Sequence, residues 1–220
     1  MKELLSGKYP PLYVEGKNDL HAICNLLIKS GVDVTKGSGP IELVARDSVE
    51  QVIEIIDVAT KSAIGSGTPV GFIVDADISA KSRWKSVTSK LKSAGCSVTK
   101  RDLKESGVVK SVNQTKVGVW MMPYPAASSG KLEDFLRQLI PADNRVFPIA
   151  RNYIANVAAI ADTQERFKSK DKEKAEIYAW LAAQDQPGNS YGVAVKAGLF
   201  SCEMPLAKRF VAWVRELYSL

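Results

Sequence analysis

Two acidic groups in this 220-residue chain combine the residue types and spacing that could do chemistry. Glu15-Gly16-Lys17-Asn18-Asp19 directly follows the apolar run Pro11–Val14, and Asp75-Ala76-Asp77 directly follows Phe72-Ile73-Val74. In an open α/β sheet, ligands bind beyond the carboxyl ends of the strands, which is where both groups would fall. Gly16 permits a tight strand-to-helix turn and Asp19 then sits in the first helical turn, so Glu15 and Asp19 approach one point. An acid at a helix start also favours the helix dipole, which accounts for Asp19 but not for Glu15. Hard divalent cations such as magnesium take several oxygen ligands, and carboxylates that repel one another become tolerable with a cation between them. A third group, Ser128-Ser129-Gly130-Lys131-Leu132-Glu133-Asp134, puts two more carboxylates at a strand-to-helix junction. Surface acids stabilising a helix start explain that group equally well.

The elements that must hold these groups alternate. Short strands are expected at Pro11–Val14, Ile41–Ala45, Val70–Val74 and Val117–Met122. Between them, Asn18–Lys29, a helix opened by Ser48 with Gln51 three residues on, and Ser79–Ala94 carry apolar residues at helical spacing. Val70–Val74 is apolar throughout, as a central parallel strand covered on both faces is. Lys100–Lys116 is polar, basic and weakly periodic and reads as a loop or a poorly formed hairpin. Leu132, Phe135, Leu136 and Leu139 define a short helix, and everything beyond Pro148 is helical, with segments at Asp171–Ala183, Ser190–Ala197 and Leu206–Leu217. The β-α-β-α-β-α order predicts an α/β protein with a mainly parallel central sheet flanked by helices. The expected division is an α/β domain over residues 1–145 and a helical C-terminal extension over 146–220 packed on it.

The chain is 45% hydrophobic and 25% charged, an ordinary globular balance, and no apolar run approaches the ~18 residues of a membrane span. Met1–Ser6 meets charge and proline too early for a signal-peptide core. Cys24, Cys96 and Cys202 are odd in number and far apart, which supports neither a disulfide framework nor a zinc site, and His21 is the sole histidine. A cytoplasmic protein is expected. Residues 81–116 hold ten basic and two acidic residues, a local charge of +8 beside −2 for the rest. That segment would suit a polyanion such as nucleic acid, although solvated lysines that aid solubility give the same count. Arg83 and Trp84 are candidates for contacts to phosphate and base, with Trp84 also falling on the inward stripe of its helix. The Gly-Ser-Gly turns at 37–39 and 65–67 lack the spacing of a P-loop.

Together, Val14-Glu15-Gly16-Lys17-Asn18-Asp19 and Val74-Asp75-Ala76-Asp77 resemble the TOPRIM domain, a Rossmann-like fold shared by topoisomerases, bacterial primases, recombination mediators and the overcoming-lysogenization-defect (OLD) nucleases. The chain is also similar to small stand-alone TOPRIM-like proteins that carry a comparable Gly-x-Leu-Glu segment, here Gly130–Glu133, and a helical tail. The resemblance covers residues 8 to 140. It implies Glu15, Asp75 and Asp77 as ligands of Mg2+ (or Mn2+), Asp19 as a fourth, and Glu15 as metal ligand or general base. OLD enzymes add a Ser-x-Glu segment and a later lysine. Glu133 matches the glutamate, Lys131 stands where the serine would be with Ser129 two residues earlier, and Lys174 is the candidate lysine. Tyr124 and Tyr153 lie in no motif that would mark a topoisomerase nucleophile.

Three functions compete. The first is a Mg2+-dependent TOPRIM nuclease or related phosphotransfer enzyme acting on nucleic acid through segment 81–116. The second is a non-catalytic module of the same fold that binds nucleic acid or a protein partner. The third is a haloacid-dehalogenase-like phosphatase, since Asp75-Ala76-Asp77-Ile78-Ser79 loosely matches D-x-D-x-[T/V]; it leaves Glu15 unexplained. Oligomeric state is not legible.

Overall fold

Three β-α units open the chain: β1 (Pro11–Val14) with α1 (Lys17–Lys29), β2 (Glu42–Ala45) with α2 (Val49–Ser66), and β3 (Val70–Asp75) with α3 (Ala80–Ser93). The hairpin β4 (Val108–Val112) and β5 (Thr115–Met122) follows, then α4 (Leu132–Arg137), α5 (Phe147–Ala158), α6 (Lys172–Ala182), α7 (Tyr191–Ala197) and α8 (Pro205–Tyr218). The structure is a computed structural model that describes residues 9–35, 37–160 and 166–220; Met1–Ser6 lies outside them. The local signals act as the sequence predicts. Ser48 Oγ accepts the Gln51 amide at 3.3 Å to cap α2, and Gly67 closes that helix in the left-handed conformation.

The strands form one five-stranded sheet in the order β2-β1-β3-β5-β4, in which only the edge strand β4 runs antiparallel. Alternation along each strand divides the core. Leu12, Val14, Ile73, Trp120 and Met122 face α1, α4 and the C-terminal helices. Tyr13, Phe72, Val74, Val119 and Met121 face α2 and α3, where Trp84, Val87 and Leu91 are buried. Trp84 is therefore a core residue and offers no exposed face to a base. With both sheet faces covered, the central strands are continuously apolar.

Of the two expectations for segment 100–116, a loop or a poorly formed hairpin, the hairpin is what forms. A short 3-10 turn at Lys100–Asp102 is capped by Thr99, and β4 then pairs with β5 from Val108↔Val119 to Val112↔Thr115. The two-residue turn is Asn113-Gln114, both at positive φ (47° and 66°), the backbone of a tight hairpin turn without its usual glycine.

The C-terminal helices complete the sheet. Leu217 of α8 lies over Gly71 and Gly118, where a Cβ would come within 2.8 Å and 2.5 Å of it, so both strands need glycine at that crossing. Trp213 Nε1 donates to the Val108 carbonyl at 3.0 Å, and the Tyr218 hydroxyl donates to the Pro11 carbonyl at 2.7 Å. Trp120, Phe210 and Trp213 pack with ring centroids 5.1 to 5.7 Å apart. Among the described residues, no helix is long and apolar enough to cross a membrane.

Candidate functional site

The parallel strands β1 and β3 are adjacent, so the residues that leave their carboxyl ends meet. Glu15 Oε1 accepts the backbone N–H of Asp75 at 2.7 Å, across 60 residues of sequence. One turn on, Asp19 Oδ2 accepts the Gly16 amide at 3.2 Å, which closes the N-terminus of α1 and orients the carboxylate back toward the strand ends. Glu133, in the first turn of α4, receives a hydrogen bond from the buried Tyr191 hydroxyl of α7 at 3.2 Å.

Asp75 is the hub. Burial raises its carboxyl pKa well above the ordinary range, and the charges of Glu15, Asp19, Glu133 and Asp77 push it further the same way. Its Oδ1 atom is buried with no hydrogen-bond partner. Burial is also the main cause of the Glu15 pKa rising to about 7, with Asp19 and Asp77 adding to it and the Asp75 amide and Arg83 opposing it. Asp19 rises to about 6 through burial and the charge of Glu133. A buried acid with an orphaned oxygen, surrounded by four more acids, is a costly arrangement that a cation would relieve.

Asp77 follows a different path. Its backbone is left-handed (φ 51°) and is pinned to Gly130 by two hydrogen bonds, Asp77 N–H to Gly130 O at 2.8 Å and Gly130 N–H to Asp77 O at 2.7 Å. Gly130 is itself at φ 123°, and a Cβ there would lie 2.7 Å from Pro123 Cδ. The clasp ties the D-x-D turn to the Ser129–Glu133 segment. The Asp77 carboxylate is 42% exposed and pairs with Arg83, whose side chain is only 15% exposed.

The structure thus brings Glu15, Asp19, Asp75, Asp77 and Glu133 to one edge of the sheet. Among the described residues, however, no three His, Cys, Asp or Glu side chains are assembled closely enough to hold a metal ion. The reason is visible in the contacts. A protein donor holds each outer carboxylate: the Asp75 amide holds Glu15, the Gly16 amide Asp19, Arg83 holds Asp77 and Tyr191 holds Glu133. The all-oxygen donor set and the orphaned Asp75 oxygen fit a hard divalent cation in kind. The side chains would have to turn inward to hold it.

Lys174 is not brought into this group. It is exposed on α6, while its neighbour Glu173 lines an open groove of about 900 Å³ beside the D-x-D turn. Lys131 Nζ donates to the Lys170 carbonyl at 2.7 Å, joining the α4 and α6 N-termini. His21 is exposed where α1 crosses α7, its Cβ 2.7 Å from where a Cβ on Gly192 would be. The basic segment disperses. Lys81, Lys85 and Lys92 are exposed on α3, Lys110 pairs with Asp102 at 3.3 Å, and Lys116 is tied to the Glu216 carbonyl and Ser219 hydroxyl of α8. Sequence reading missed Tyr191 and gave Arg83 no carboxylate partner. No motif marks Tyr191, which reaches Glu133 from 58 residues away.

No curated protein and no solved structure matches the chain. A family profile described as a protein of unknown function, DUF3226, matches residues 9–219, nearly the whole chain, and the protein belongs to that family.

Proposed function

We propose that the protein is a Mg2+-dependent phosphotransfer enzyme of TOPRIM type that cleaves phosphodiester bonds in nucleic acid. The observation that carries this reading is the position of Asp75, a buried carboxyl with an orphaned oxygen amid Glu15, Asp19, Asp77 and Glu133 at the carboxyl edge of a parallel sheet. Asp75, Glu15 and Asp77 would hold the cation, with Asp19 as a further ligand. When bound, the cation supplies Lewis-acid polarisation of a phosphoryl oxygen and a more acidic water.

The chain's own residues do the rest. Glu15 either shares in holding the cation or acts as general base; its pKa of about 7 in the cation-free chain would fall with a cation beside it. Glu133, oriented by Tyr191, keeps a further carboxylate near enough for its charge to act on Asp75. Arg83 and Lys131 line the adjoining groove and supply positive charge for phosphate. Lys174, exposed on α6, stands in this reading as a more remote contributor of charge.

The experiment is cation-dependent nicking of an oligonucleotide by the full chain and by Glu15→Ala and Asp75→Ala. Activity lost in both variants, with the circular dichroism spectrum kept, supports the reading. Activity that persists in both, or needs no divalent cation, overturns it.

A second reading has a specific observation behind it. Arg83 already neutralises Asp77, and the outer carboxylates are held by protein donors, as in a module of this fold that binds nucleic acid or a partner without cutting. Under it the same acidic variants would bind an oligonucleotide as wild type does and no preparation would nick it.

A further inference from the structure

The groove beside the D-x-D turn has a composition that the carboxylate site alone does not explain. Ser79, Ser82 and Ser86 line it from the first turns of α3, Ser129 from the opposite wall, and Arg83 and Lys131 from either side. Ser79 caps α3 by accepting the Ser82 amide at 3.3 Å, which fixes the helix start at the groove. Carboxylates share the lining, but most are already engaged. Asp77 is met by Arg83, and Asp134 and Glu173 lie 3.7 Å and 4.0 Å from Arg137, leaving Asp171 to set against Lys131 and Lys170.

Arg83 stands at the boundary between the groove and the acids. Its guanidinium bonds Asp77, its Nε is buried with no partner, and it lowers the Glu15 pKa by its charge. A guanidinium is a planar fork that binds carboxylate and phosphate alike, so its partner depends on which anion is less well neutralised.

We propose that this groove seats a phosphate group of the nucleic-acid strand and that Arg83 alternates between two anions, Asp77 when no cation is bound and the strand phosphate once a cation occupies the carboxylates. The inference rests on the proposed function for its cation and its strand. Without a cation, Arg83 holds Asp77 and blocks its use as a ligand. A divalent ion that takes Asp77 frees the guanidinium, whose fork is then within the groove lined by serine hydroxyls. Cation and strand binding thereby become mutually favourable, since each removes Arg83 from the other's way. The serines add neutral donors that contact phosphate oxygens without competing for the cation.

The test uses the full chain, Mn2+ as the cation probe and a short oligothymidylate as the strand probe. Arg83→Gln should bind Mn2+ roughly threefold to tenfold more tightly, because a competing charge is gone. With Mn2+ present it should bind the oligothymidylate about tenfold more weakly, because a charge-assisted phosphate contact is lost. Arg83→Lys keeps the charge, should leave Mn2+ affinity near wild type, and guards against a folding defect in the first variant. A second arm needs no metal. In EDTA, Asp77→Asn releases Arg83 and should raise oligothymidylate affinity, and adding Arg83→Gln should cancel that gain. Failure of wild type to bind Mn2+ overturns the proposed function and the cation-driven step of the inference with it, while the EDTA arm decides separately whether Arg83 released from Asp77 seats a phosphate. An unchanged Mn2+ affinity in Arg83→Gln when wild type binds the ion, or no gain in Asp77→Asn, overturns the inference.

Discussion

The acidic edge and the basic segment are built in opposite ways. Glu15, Asp75 and Glu133 are scattered along the sequence, yet adjacent parallel strands deliver them to one place, with Glu15 bonded to the Asp75 amide. The ten basic residues between 81 and 116 are close in sequence and end far apart in role. Arg83 turns to Asp77, Lys110 to Asp102 and Lys116 to the end of α8, while α3 leaves Lys85 and Lys92 to solvent. A parallel sheet gathers whatever follows its strands at one edge, whereas a helix and a hairpin spread their charges around several faces. Convergence, more than local charge density, marks a site.

The largest effect that would sharpen this contrast is on catalysis. Asp75→Ala should reduce cation-dependent nicking about a thousandfold, with no loss of folded structure, as expected for removal of a central metal carboxylate. Leu217→Ala, which empties the crossing of α8 over Gly71 and Gly118, should cost about 2–5 kcal/mol in denaturant unfolding. An unchanged midpoint would mean that the tail is an appendage and the edge stands without it.

A pH effect comes next. The raised carboxyl pKa values mean that the folded chain binds more protons than the unfolded one, so stability should fall as pH rises. The window runs from the ordinary Glu value of 4.5 to about 7 for Glu15. In EDTA the melting temperature should drop across that range, and Mg2+ should raise it most at its alkaline end. A melting temperature that rises over the window would contradict the burial of the acids. Tyr191→Phe, which removes the hydrogen bond that holds Glu133, should tighten Mn2+ binding by a factor of about five. Smallest of all, Glu substituted together at Lys85, Lys90 and Lys92 should weaken oligonucleotide binding about threefold at low salt and hardly at all at high salt. A loss beyond about a hundredfold would make the lysine face of α3, and not the groove at its start, the binding face and reverse the comparison.

Most of the scaffold is legible because its signals are local. Ser48 with Gln51, Gly67 and the apolar run Val70–Val74 each specify their element without help from elsewhere. At the edge strand β4 loop and hairpin stay undecided, because Lys110 and Ser111 dilute its pattern and Asn113-Gln114 lacks the glycine of a hairpin turn. The site was half legible. Strand ends foretell where Glu15 and Asp75 lie, but Tyr191 over Glu133 and Arg83 on Asp77 depend on how α7 and α3 pack. Trp84 shows the converse: its helical stripe assigns it to the core, and there it is. Lys174, chosen by analogy, lies on the solvent side of α6.

The central claim is that five dispersed carboxylates form a single cation-seeking group with Asp75 at its hub. Titration of the full chain with Mn2+, followed by electron paramagnetic resonance at neutral pH, tests it directly. Saturable binding that is displaced by Mg2+ and abolished in Asp75→Asn is the predicted result. Wild type that leaves all the Mn2+ free in solution, or Asp75→Asn that binds it as wild type does, would contradict it.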